Sequence, residues 1–364
     1  MQIFNSLARG LVLASMALAL SACDQPTTSQ QAESPQAKVP KNEIEIVSLN
    51  GKTMGTTYHI KYLSNGNVSA PSQQAHEQIE AILKDVNAKM STYIQDSELS
   101  LFNQNTQTNT PIEVSADLAK VVKEAIRLNK VTQGSLDVTV GPVVNLWGFG
   151  PEKRIDKQPT PEQIAERQAW VGIDKLSLSE EGGKSFLTKT VPQLYVDLSS
   201  IAKGFGVDQV ADYLESLHVQ NYMVEIGGEI RTKGKNAENK LWQIAIERPT
   251  FDGQQAAQQI IGLNNVAMAT SGDYRNYFEQ DGVRFSHEID PKTGYPIQHA
   301  LASITVLAPS SMTADGLSTG LFVLGEQKAL AVAEHEKLPI FMIIKDGKGY
   351  RTEMSTEFKK LLEQ

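Results

Sequence analysis

The chain has 364 residues and a formal net charge of −8, with 40 % apolar and 21 % charged residues. This balance allows one large domain or two smaller ones, and it excludes a disordered chain, a collagen-like chain and a polytopic membrane protein. The acidic excess argues against a general nucleic-acid binder, which needs a basic face to neutralise phosphates.

The N-terminus reads as a secretory signal. Arg9 gives a small positive region, and the apolar run Leu11 to Leu20 follows. That run is too short for a permanent transmembrane helix and right for a signal h-region. It ends in Leu20-Ser21-Ala22-Cys23, which resembles a bacterial lipobox whose cysteine is lipidated and becomes the new N-terminus. An ordinary signal peptide with an incidental cysteine is the alternative. Cys23 is the only cysteine, so neither an internal disulfide nor a thiolate zinc site is available. Residues 1–22 are therefore read as signal and 23–42 as a lipid-anchored tether. From Asp24 to Lys41 the chain is rich in Gln, Ser, Thr, Pro and Ala, with Val39 as its one large apolar residue. A folded unit is expected over 43–364.

Within that unit, Thr56 to Tyr62 alternates like a strand, with Tyr58, Ile60 and Tyr62 on one side. Ile79, Ile82, Leu83, Val86 and Met90 follow the spacing of an amphipathic helix, as do Leu118, Val121, Val122, Ala125 and Ile126. A third helix is predicted over Ile201 to Leu217, opened by the N-cap candidates of Asp197-Leu198-Ser199-Ser200. Strands are predicted over Tyr222 to Ile226, Leu241 to Glu247, Ala302 to Ala308 and Pro339 to Ile344. Helices and strands do not alternate strictly, which favours an α+β fold over a doubly wound sheet. Asp281-Gly282 is a two-residue hairpin signal. Pairing outward from it sets Phe278 opposite Phe285, Glu279 opposite Arg284, Tyr277 opposite Ser286 and Asn276 opposite His287. His287 then shares the more covered face with Phe285 and Ile289.

No H-E-x-x-H, G-x-S-x-G or Walker A motif occurs. Four other segments could carry chemistry. Gly134 to Pro142, followed by Asn145 to Gly150, holds turn signals, with Trp147 and Phe149 either core or a flat stacking surface. In Val196 to Gly204, Asp197 closes a Tyr195-Val196 strand and Lys203 sits in the first turn of a helix, where free amides and a point charge suit a phosphate; a solvated lysine and an N-capping Asp197 are the alternative. Ser286 to Pro296 carries His287, either functional or a hydrogen-bonded structural histidine. In Thr313 to Gly320, Asp315 and Thr319 are i and i+4 on a helix with Ser318 beside them. These are hard oxygen donors that suit Mg²⁺. The competing possibility is a solvated face with an acid favoured by the helix dipole, which leaves Gly316 and Gly320 unexplained.

Taken together, the four segments, with Gly51-Lys52-Thr53-Met54-Gly55-Thr56 and Met90-Ser91-Thr92-Tyr93, resemble the ApbE family of flavin transferases over nearly all of the mature chain. The resemblance implies a T-fold-like α+β architecture and transfer of FMN from FAD to a Ser or Thr hydroxyl of a partner protein, with Mg²⁺ and release of AMP. It implies flavin or FAD contacts at Met54, Tyr93, Ser135, Leu136, Asp137, Asp197, Lys203 and Ile289. It implies Mg²⁺ ligands at the Ser200 carbonyl, Asp315 and Thr319, with Ser318 a further candidate, and a transfer role for His287. Ser318 stands where some members carry a second Asp, leaving one carboxylate fewer. Acceptors such as subunits of sodium-pumping NADH:quinone oxidoreductase are implied, met at the periplasmic face of the inner membrane, where Cys23 would anchor the chain. An FAD pyrophosphatase and a non-catalytic FAD-binding lipoprotein are the other functions the site allows.

Overall fold

A computed structural model describes residues 44–64, 72–151, 158–249, 256–273, 277–280 and 283–363. The expected signal peptide, Cys23 and tether lie outside the described residues, as do Asn276 and the Asp281-Gly282 turn.

Among the described residues, eight strands form one antiparallel sheet whose spatial order follows chain order. They are Glu45–Thr53, Thr56–Ser64, Tyr222–Ile226, Glu229–Lys233, Val266–Gly272, Leu301–Ala308, Ile340–Asp346 and Gly349–Met354. The sheet is thus a meander, and the chemistry-bearing segments sit mostly in the insertions between its strands. Tyr58, Ile60 and Tyr62 are buried on one face of the second strand, as their alternation predicts. Leu301–Ala308 is buried at every position, because both faces of the sheet are covered there. On one side lies the helix Ser311–Leu324. On the other lies a two-stranded hairpin, Trp242–Glu247 with Ala257–Leu263, whose Ile244, Ile246, Ile261 and Leu263 pack on Met268, Leu307, Phe341 and Ile343 of the sheet.

The predicted helices form where their apolar spacing places them. Ser72–Met90 buries Ala75, Ile79, Leu83, Val86 and Met90. Ala116–Val131 starts where Ser115 Oγ accepts the Leu118 amide at 3.2 Å. Ala202–Ser216 is the third, but its N-cap position is Ile201 and no side chain caps it. Asp197 instead accepts Ser199 N–H at 2.9 Å and its hydroxyl at 2.6 Å, closing a local turn. Nor is Tyr195-Val196 a regular strand. Asn103 pairs with Val196 through its side chain, amide to carbonyl and carbonyl to amide, both at 2.8 Å, substituting for a strand partner. Gly141-Pro142 opens a short helix, Gly141–Leu146, instead of a turn, since proline is preorganised for a first helical position. Among the described residues, no helix is long and apolar enough to cross a membrane.

Candidate active site

The helix Ser311–Leu324 is not a solvated surface helix. Asp315 is 2 % exposed, and Gly316, Leu317, Ser318 and Gly320 are buried around it. Its two glycines are explained by packing. A Cβ at Gly316 would come within 2.6 Å of Leu128, and one at Gly320 within 2.6 Å of Thr132. The Ser135 hydroxyl donates to the Gly320 carbonyl at 2.6 Å, and Leu136 lies against both glycines. The segment Ser135-Leu136-Asp137 is therefore the seat of this helix. Asp137 turns away to accept Thr139 N–H at 2.8 Å, its hydroxyl at 2.6 Å and Ile173 N–H at 3.1 Å. With all three side chains so engaged, backbone atoms are what this segment has left to offer a ligand.

Asp315 meets the Lys203 helix, Ala202–Ser216, at close range. A Cβ at Gly204 would lie 2.3 Å from the Ser311 carbonyl oxygen and 2.8 Å from Asp315 Cβ, so only glycine permits this crossing. Across it, Asp315 Oδ2 accepts the Gly204 amide at 2.9 Å, and Lys203 Nζ stands 3.6 Å from Asp315 Oδ1. Glu229 completes the cluster, with Oε1 3.4 Å from Lys203 Nζ and Oε2 buried without a hydrogen-bond partner. Two buried carboxylates thus share one ammonium. Burial is the largest cause lifting the Glu229 carboxyl, to about 8, with Lys203 opposing and Asp315 adding to it. Burial also lifts Asp315, against Lys203 and the Gly204 amide, and the charge of Glu288 adds to the rise. The two carboxylates in turn hold Lys203 above its ordinary value, against the desolvation that lowers it. Glu229 follows the Gly227-Gly228 turn, and no spacing rule marked it; only folding the fourth strand against the helix reveals it.

Thr319, one turn beyond Asp315, lies 3.4 Å from the Ser271 hydroxyl, while Ser318 bonds Ser271 Oγ at 2.8 Å and its own Asp315 carbonyl at 2.9 Å. Ser318 is thereby committed to protein partners. Ser200 lies in the turn directly before the Lys203 helix. Among the described residues, no group of three or more His, Cys, Asp or Glu side chains could hold a metal. A cation here must draw on carboxylate, hydroxyl, carbonyl and substrate oxygens. That donor set fits a hard divalent cation such as Mg²⁺.

The predicted hairpin register is observed: Tyr277 faces Ser286, Phe278 faces Phe285 and Glu279 faces Arg284. The strand bends at His287 and resumes as Ile289–Asp290, paired with Tyr295–Pro296. Phe285 and Ile289 are buried in a cluster with Trp147, Val143 and Ile164, so Trp147 is core, its Nε1 donating to the Gly294 carbonyl at 2.9 Å. The bend leaves His287 half-buried, its side chain 29 % exposed, edge-on to Phe149 and with Nε2 3.2 Å from Glu288 Oε1. Glu288 is near enough for its charge to act on Asp315, which puts this arm in the neighbourhood of the cluster.

Met54 and Tyr93 arrive from elsewhere. Met54, at φ 49°, and Gly55, at φ 74°, form the turn joining the first two strands. A Cβ at Gly206 of the Lys203 helix would lie 2.9 Å from Met54 Cε. Tyr93 is 65 % exposed, an aromatic face offered to solvent. Partial desolvation and the nearby Asp197 charge raise its hydroxyl, which marks the two as neighbours.

The ApbE family profile matches residues 54–342. The chain belongs to the ApbE family. A Haemophilus influenzae relative named FAD:protein FMN transferase is 67 % identical, with 99 % of each chain covered. The solved structure of the flavin transferase ApbE from Vibrio cholerae superposes with a TM-score of 0.80 at 53 % identity, covering 88 % of this chain and 100 % of that one. The Pseudomonas stutzeri flavinyl transferase ApbE gives a TM-score of 0.80 at 39 % identity, covering 88 % and 98 %. The α+β architecture expected from the resemblance is the one observed, and the chain is an enzyme of this ApbE group.

Proposed function

We propose that this chain is a Mg²⁺-dependent FAD:protein FMN transferase. The observation that carries the reading is the buried Asp315–Lys203–Glu229 cluster with the His287–Glu288 arm beside it. Asp315, Thr319 and the Ser200 carbonyl would hold the cation. Bound there, Mg²⁺ supplies charge neutralisation for a pyrophosphate. Lys203 binds phosphate oxygen and stabilises the negative charge that builds at phosphorus. Tyr93 and Met54 offer the flavin an apolar and aromatic surface. His287 takes the proton of the acceptor Ser or Thr hydroxyl as its oxygen attacks the phosphorus of the FMN half. The new oxygen–phosphorus bond forms as the bond to AMP breaks, and AMP leaves with the electron pair.

The test combines the mature chain with FAD, Mg²⁺ and a candidate acceptor, such as a flavin-accepting subunit of a sodium-pumping NADH:quinone oxidoreductase. A covalent FMN adduct, read as a mass shift and in-gel fluorescence, is expected together with one AMP per adduct. AMP released at the same rate without acceptor makes the chain a pyrophosphatase, and bound FAD with no AMP makes it a carrier. The same reading has Cys23 lipidated and the enzyme tethered at the periplasmic face of the inner membrane. Cys23→Ser should then release it from washed membranes, and unchanged membrane retention refutes the anchor.

A further inference from the structure

The charged residues of the candidate site come from three elements, and a second set of contacts joins the same three. Asp208 lies five residues beyond Lys203 on one helix and is buried. Its Oδ1 accepts the Ser311 amide at 3.0 Å, and its Oδ2 accepts the Met312 amide at 2.9 Å. These amides open the Asp315 helix, and the next one, of Thr313, bonds Ser310 Oγ at 3.2 Å. Arg231 lies two residues beyond Glu229 on the fourth strand and donates from Nη1 to Asp208 Oδ1 at 3.0 Å. Asp212 Oδ1 at 2.9 Å and Glu215 Oε1 at 3.2 Å hold the same guanidinium from the side.

Two residues along a strand span about 6.6 Å, and five along a helix about 7.5 Å. Lys203–Glu229 and Asp208–Arg231 are therefore two rungs, at comparable spacing, between the same helix and the same strand. Each rung also ends on the Asp315 helix, the first at Asp315 and the second at Ser311 and Met312. Apolar packing is non-directional, so directional contacts do most to fix the axial position and rotation of this helix. The Gly204 amide on Asp315 and the Ser135 hydroxyl on the Gly320 carbonyl act along it, and the two hydrogen bonds from the Asp208 carboxylate fix its start. Asp315 and Thr319 ride one and two turns farther along. Mg²⁺ demands near-ideal octahedral geometry at about 2.0–2.1 Å, so a small slip of that helix spoils a ligand set.

We propose that Asp208, held by Arg231, is a positioning residue that sets the register of the Asp315 helix against Lys203 and Glu229, and thereby the affinity of the site for its divalent cation. This rests on the cation reading given under the proposed function. The test compares the wild-type chain with Asp208→Asn and Arg231→Lys at a temperature where each is folded by circular dichroism. Three quantities are read: the half-saturating Mg²⁺ of the FAD-loaded protein by flavin fluorescence, kcat for FMN transfer at saturating Mg²⁺, and Tm. Asp208→Asn is expected to raise half-saturating Mg²⁺ by about 10-fold or more, with kcat within about threefold of wild type. Arg231→Lys, which keeps the charge and loses the planar fork, shifts it the same way by less. A lowered Tm with unchanged half-saturating Mg²⁺ overturns the proposal, because a purely structural ion pair gives that result. Should Asp208→Asn fail to fold, Arg231→Lys decides alone, and an unchanged half-saturation overturns the proposal. Wild-type protein that shows no Mg²⁺ response overturns the cation reading as well, and it is told apart because it precedes any substitution.

Discussion

Asp315 is 2 % exposed and held by an amide, an ammonium and the packing of a helix that is itself buried. His287 stands on a bend between two short strand pieces, with nearly a third of its side chain open to solvent. One part of the site is overdetermined and the other sits at its rim. Buried charge is costly unless its partners are fixed, so the carboxylate cluster needs rigid elements on every side. The role proposed for His287, taking a proton from an incoming protein hydroxyl, needs access, and a half-buried position on an arm packed through Phe285 and Ile289 provides it.

The largest expected break of this contrast is Asp315→Ala. It should lower kcat/KM for FMN transfer by about a thousandfold or more, in a metal titration where added Mg²⁺ does not restore activity. His287→Ala should cost about a hundredfold in the transfer step while FAD binding, followed by flavin fluorescence, stays near wild type. Equal loss of FAD binding in both variants would erase the distinction between core and rim. Gly320→Ala sharpens the contrast from the packing side. The new methyl group meets Thr132 and Leu136 and should destabilise the fold by about 1–3 kcal/mol, measured by urea unfolding.

The smallest effect is in pH. Burial keeps a proton on Glu229 up to about 8, whereas the unfolded chain releases it near the ordinary 4.5. Between those values the folded state binds more protons than the unfolded one, so stability of the metal-free chain falls as pH rises through that window. Thermal melts should show a Tm decline of a few degrees from pH 5 to pH 8, flattened in Glu229→Gln. Added Mg²⁺ should raise Tm more at pH 8 than at pH 6, because Glu229 loses its proton over that range and adds negative charge beside the cation. A metal effect independent of pH would count against a cation bound beside Glu229.

Much of the fold was legible from local pattern. Tyr58, Ile60 and Tyr62 announced a strand, Ile79, Leu83 and Val86 a helix, and the Phe278–Phe285 register followed from turn chemistry and cross-strand pairing. That Asp315 and Thr319 sit one turn apart on one helix was legible from their i, i+4 spacing. What local pattern misread was the neighbourhood. Asp197 as a helix cap, Tyr195-Val196 as a strand and Gly141-Pro142 as a turn each obeyed a local rule, but Asp197 closes its own turn with Ser199, Gly141-Pro142 opens a helix, and a tertiary contact replaces the strand. Asn103 supplied the strand's hydrogen bonds, and Ile201 occupies the helix cap.

By itself the sequence determined periodicity, hairpin register, the oxygen donors on one helix and the family these motifs resemble, because each is written in residues close along the chain. Only the tertiary structure decided that Asp315 is buried, that Glu229 joins it through Lys203, and that Asp208 and Arg231 repeat the same three-way contact. Those partners come from a helix, a strand and a second helix separated by scores of residues. Their meeting is set by how a sequential eight-stranded sheet brings the helices of two of its insertions together, and no spacing along the chain encodes it.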